Sequence, residues 1–174
     1  MRRFLVALVL STATAWTSAQ EVPLEYRVKA AYLFNFTKFI DWPVMPTGGR
    51  NSFSICLAGR NPFGTMLSST LVGETAAGLP MAARVVSADQ ASSCQILFVP
   101  RGVAAAPYLR GIGAAPVLTV GESPDFLTQG GAINFVLDGG RVRFEINQAA
   151  AARAQLKVSS RLLQLGRGND SQGD

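Results

Sequence analysis

The first strong pattern of apolar and polar positions lies between residues 25 and 40. Val28, Tyr32, Phe36 and Phe39, with Leu33 and Ile40, recur at spacings of three and four, which predicts an amphipathic helix. Pro43 and the glycines beyond it are the expected stop. The run FSICLAG (53–59) reads as a buried strand. NPFGTMLSSTL (61–71) follows as a helix, with Asn61 as its cap and Pro62 at its first position. Short strands are expected at 83–88, 95–100 and 116–121, with a helix at about 103–112 between the last two.

AINFVLDGGRVRFEIN is a hairpin pattern, with Asp138-Gly139 or Gly139-Gly140 in its turn. Val142, Phe144 and Ile146 alternate with Arg141, Arg143 and Glu145, so one face of that strand is wet. QAAAARAQLKVSSRLLQLG (148–166) reads as a last helix, with Gly166 near its C-cap and a polar tail from about 167. Strands alternating with helices predict an α/β fold. The expected form is a single layered domain: a mixed, mostly parallel sheet flanked by helices, ending in a β-hairpin and helix.

The front of the chain has a different character. Arg2 and Arg3 precede the apolar run Phe4 to Leu10, and Thr17-Ser18-Ala19 supplies small residues before a cut. This is the pattern of a secretory signal peptide, residues 1–19, leaving a domain of residues 20–174. The run falls short of the roughly 20 apolar residues of a membrane span; an uncleaved N-terminal anchor is the alternative. Without the signal's two arginines, fourteen basic residues face eleven acidic ones in no long run of like sign. Neither that balance nor export favours a nucleic-acid partner.

Cys56 and Cys94 fall in the exported part, where disulfides persist. A single bridge between them is expected, with a pair of buried free thiols as the alternative. In the chain-entropy description such a bridge stabilises by about 4 kcal/mol.

The candidate chemistry is thin. The chain has no histidine, which removes the commonest general base and metal ligand and excludes a Ser-His-Asp triad. Lys157 and Ser160 would share a helix face, but nothing else marks them as a site. Glu122 and Asp125 lie in GESPD, which reads as a solvated loop. The glycine-containing stretches lack the residues of a phosphate loop. No catalytic residue, cofactor or metal is therefore expected.

The stretch KAAYLFNFTKFIDWP (29–43) resembles the N-terminal motif of the YfiR family, through Lys29, Ala30, Leu33, Asn35, Phe36, Lys38, Phe39, Trp42 and Pro43. FSICLAG with NPFG, CQILFV, and INFVLDGGRVRFEIN followed by LKVSSRLLQLGR extend the resemblance in order along the chain. It implies a periplasmic regulator that binds and represses the sensor region of an inner-membrane diguanylate cyclase. It also implies an OmpA-type outer-membrane lipoprotein as a second partner. Some members carry a second cysteine pair near the hairpin, which this chain lacks. A small-ligand-binding input module of another sensor system is the competing expectation.

The opening helix is expected to be mainly core, with its interface share carried by Asn35, Lys38, Trp42 and Pro43. Arg141, Arg143 and Glu145 form either a solvated strand face or a contact for an acidic partner. Surplus apolar surface on the last helix would suit a homodimer.

Overall fold

The computed structural model describes residues 22–43 and 51–166. The signal-like segment and the polar tail lie outside these residues. The elements in chain order are α1 (Leu24–Phe36), β1 (Ile40–Asp41), β2 (Phe53–Ala58), α2 (Met66–Leu71), β3 (Thr75–Ala76) and β4 (Leu79–Val86). A 3-10 helix (Ala88–Ser93), β5 (Ile96–Val99), α3 (Ala105–Ile112), β6 (Leu118–Gly121), β7 (Ile133–Asp138) and β8 (Arg141–Ile146) follow. α4 (Gln148–Arg153), β9 (Lys157–Val158) and α5 (Ser160–Leu165) complete the described chain.

Seven strands form one mixed sheet in the order β3-β4-β2-β5-β6-β7-β8. The five from β4 to β7 are parallel, and β3 and β8 are antiparallel edges. Central strands covered on both faces read as near-continuous apolar runs, and β2, β5 and β6 are buried throughout, Ser54 and Thr119 included. Their alternation sorts side chains into two cores. Ile55, Leu57, Ile96, Phe98, Leu118 and Val120 join the core under α1 and α2. Cys56, Ala58, Leu97 and Val99 join the core beneath α3 and the 3-10 helix. The hairpin turns at Gly139-Gly140, whose φ values of 55° and 75° are the positive pair a two-residue turn needs.

Three helices are shorter than the periodicity predicts. α1 stops at Phe36, well before Pro43. Residues 37–39 tighten into i→i+3 bonds, and the Thr37 hydroxyl donates to the Phe34 carbonyl at 2.7 Å. Ile40 and Asp41 then pair with Val158 and Lys157, so tertiary strand pairing overrides local helix pattern. Val28, counted in the apolar stripe, faces outward.

The helix expected over 61–71 begins only at Met66. Asn61 closes a turn instead, accepting the Phe63 N–H at 2.9 Å and donating to the Gly64 carbonyl at 2.8 Å. The expected last helix is two short helices split by β9, with Gln155 at φ 60° between them. Asn147 caps the first and Ser159 the second. Lys157 therefore sits on a strand and Ser160 opens a helix, and the two share no helix face. The strand expected at 83–88 starts earlier, at Leu79, and ends at Val86.

Candidate functional site

The most unusual chemistry lies where β6 ends. Glu122 follows the last residue of that strand and is only 3% exposed, which corrects the solvated-loop reading of GESPD; of its two acids, Asp125 is the exposed one. The loop is set by packing. The Phe126 ring lies so close to Gly121 and Gly131 that a Cβ on either would fall 2.3 Å and 2.1 Å from ring atoms. Only glycines fit around that ring, and the loop turns Glu122 inward.

α1 brings the counter-charge. Lys29 lies on its buried stripe with Leu33 and Phe36 and is 1% exposed. Its ammonium donates to Glu122 Oε2 and to Glu25 Oε1 one turn back. Glu122 Oε1 also accepts the Tyr26 hydroxyl at 2.9 Å and the Arg101 backbone N–H at 2.7 Å. The Lys29 ammonium further lies 4.8 Å from the Tyr26 ring centroid and 5.8 Å from that of Phe135.

Burial alone would raise the Glu122 carboxyl. The hydrogen bonds from Lys29, Arg101 and Tyr26, with the Lys29 charge, outweigh burial and hold it below the usual carboxylate value. Burial, together with the bond to Glu122 and the negative charges of Glu122 and Glu25, pushes the Tyr26 hydroxyl up to about 12. A carboxylate engaged by three donors is poorly placed to take a proton from a substrate. The geometry is that of a clamp fastening α1 to the sheet. Among the described residues no group of three His, Cys, Asp or Glu could hold a metal.

The residues singled out from the sequence occupy other places. Cys56 and Cys94 form a disulfide between β2 and the segment leading into β5, with Cα atoms 5.9 Å apart, and both are buried. Asn35 is half-buried near the end of α1. Lys38 is exposed, its ammonium 4.2 Å from the Phe34 ring centroid. Trp42 packs edge-on against Phe53 at 5.1 Å, and its buried indole N–H has no hydrogen-bond partner among the described residues. Pro43 beside it is half-buried.

Arg141 and Arg143 are exposed on β8, and Glu145 is half-buried. They stand on the face opposite Phe144, which packs against Tyr32 and Phe36. β7 pairs with β6 only through Ile133 and Asn134, so the hairpin tip overhangs the strand ends that hold Glu122. Trp42 and Pro43 sit by Phe53, where β2 begins. The two predicted groups therefore lie at opposite ends of the sheet.

Lys29 and Glu122 are the pair that reading the chain for chemistry missed. The signal was present: a lysine at the buried spacing of Leu33 and Phe36 must find a partner. Glu122 was masked by its turn-like neighbours.

These features can be set beside known proteins. No curated protein matches the sequence. In fold the chain is similar to a solved structure, a conserved domain protein from Vibrio cholerae O1 biovar El Tor strain N16961, at TM-score 0.55 and 10% identity. That likeness covers 82% of this chain but only 59% of the Vibrio one. Residues 26–167 match the YfiR/HmsC-like family description, a span that takes in α1 with its buried lysine, the disulfide, the glutamate loop and the hairpin. The chain belongs to the YfiR/HmsC-like family.

Proposed function

We propose that this protein is a periplasmic regulator that binds the sensor region of an inner-membrane diguanylate cyclase and holds it inactive. The observation that carries this reading is the family match across residues 26–167, since the family's general role is regulation of the diguanylate cyclase system from the periplasm. No helix among the described residues is long and apolar enough to cross a membrane, which fits a partner bound from outside the bilayer. In this reading residues 1–19 direct export and are removed, and residues 20–174 act as one domain without catalysis.

The contact surface comprises the polar residues of the α1 exit, Asn35 and Lys38 with Trp42 and Pro43, or the hairpin face of Arg141, Arg143 and Glu145. The hairpin face is the better supported, because its two exposed arginines suit an acidic partner. An OmpA-type lipoprotein competing for the same surface, and a homodimer, extend the proposal.

Deleting the gene and measuring cyclic di-GMP tests it, together with capture of the cyclase by the purified protein. A rise in cyclic di-GMP and a captured cyclase are expected. An unchanged level with no capture overturns the repressor reading.

A further inference from the structure

The parallel strands hold a feature independent of any protein partner. From β2 the chain moves through α2 to β4 on one side, whereas from β5 it moves through α3 to β6 on the other. The gap beyond the carboxyl ends of β2 and β5 is therefore a topological switch point, where open α/β sheets receive ligands because the loops diverge and leave a crevice.

Two exposed arginines flank that gap. Arg60 is the second residue after β2, and Arg101 the second after β5. They are tied together, because the Arg60 guanidinium donates to the Arg101 carbonyl at 2.5 Å. The Arg101 N–H is fixed in turn by Glu122 at 2.7 Å. Gly59 and Gly102 hold φ values of 67° and 83°, a left-handed backbone that turns each loop away directly before or after its arginine. A Cβ on Gly102 would meet nothing within 4 Å, so the space beside Arg101 is open. The nearby acids are already engaged: both Glu122 and Glu25 accept from Lys29. Counting Arg60, Arg101 and Lys29 against Glu25 and Glu122, the crevice is left positive.

We propose that this crevice binds a small soluble oxyanion, the carboxylate or phosphate group of a low-molecular-weight ligand, between the guanidinium groups of Arg60 and Arg101. Arginine forks match such groups bidentately, and tethering the Arg60 guanidinium to the Arg101 backbone reduces the ordering cost of capture.

The test is amide chemical-shift titration of the intact protein with inorganic phosphate and with succinate, at constant ionic strength. Saturable shifts centred on Gly59, Arg60, Arg101 and Gly102 are expected with at least one probe, and the responding probe identifies the anion. The Arg60→Gln/Arg101→Gln double variant should bind at least about tenfold more weakly, and Arg153→Gln, at an exposed arginine of α4, should bind as wild type. Three results would overturn the proposal: no saturable shift with either anion, shifts centred on other loops, or an equal loss in Arg153→Gln. The wild-type footprint decides the matter even if the double variant folds poorly.

Discussion

Lys29 and Glu122 are 93 residues apart in the chain, yet their charged groups meet in the interior with both side chains at most 2% exposed. A buried ion pair is roughly neutral beside an apolar pair of the same shape, but removing one partner leaves an uncompensated charge and costs about 3–5 kcal/mol. Lys29→Met is expected to lose about that much, and Glu122→Gln less, because Lys29 keeps its bond to Glu25. The Lys29→Met/Glu122→Gln double variant should lose clearly less than the sum. Urea unfolding of the four proteins measures this; simple additivity would show that the pair is not coupled.

The same cluster sets a pH dependence. The Glu122 carboxyl is held below its ordinary value, so its stabilisation is full above the unfolded glutamate pKa of about 4.3 and is lost as pH falls through the lower folded value. Tyr26 acts in the opposite direction. Its stabilisation is full below the unfolded tyrosine pKa of about 10 and is lost as pH rises through about 12. Urea midpoints should fall in both limbs for wild type. Glu122→Gln should flatten the acid limb and Tyr26→Phe the alkaline one; unchanged slopes would remove these groups from the account.

Around Phe126 the expected cost is steric. Gly121→Ala and Gly131→Ala each place a methyl group inside van der Waals contact with the ring, which costs about 1–3 kcal/mol or more of overpacking. Phe126→Leu combined with either alanine should recover part of the loss, read from thermal melting midpoints. Equal losses with and without the smaller side chain would place the clash elsewhere.

Reduction of the Cys56–Cys94 bond releases a loop spanning a sequence separation of 38 residues. In the chain-entropy description this costs about 4 kcal/mol. A Cys56→Ser/Cys94→Ser variant and reduced wild type should unfold at similarly lower urea concentrations. A midpoint equal to that of the oxidised protein would show that the bond does not contribute.

At the hairpin, Arg141→Glu with Arg143→Glu should change stability by less than about 0.5 kcal/mol, since both side chains are exposed. The same change should abolish capture of the cyclase if this face carries the contact. Retained capture would move the contact to the α1 exit, where Lys38→Glu is the corresponding variant.

The strands are readable in the sequence because β2, β5 and β6 are apolar runs interrupted only by Ser54 and Thr119, and the hairpin because Gly139-Gly140 separates two alternating segments. The helices were overextended for a physical reason. Residues 37–41 and 154–158 carry an acceptable helical pattern, but each segment gains backbone bonds from the other as β1 and β9. No local window contains that competition. Asn61-Pro62 likewise carries the pattern of a helix start, because Asn-Pro opens either structure. Cys56 and Cys94 could be paired from count and compartment alone. The Lys29–Glu122 clamp needed topology, since only the crossing of α1 over the end of β6 brings its two halves together.

The attachments of α1 also order its assembly in time. The helix is fastened by Glu122, by Phe135 and Phe144 against Phe36, and through β1 by Val158. Synthesis delivers α1 near the beginning of the chain and these anchors only in its last third. The helix thus emerges long before Phe135 and Phe144 can cover Phe36, and its seating is completed only when residues 122–158 close over it. The segment made early is among the last to be seated, which leaves the growing chain free of a prematurely finished core until the hairpin and β9 arrive.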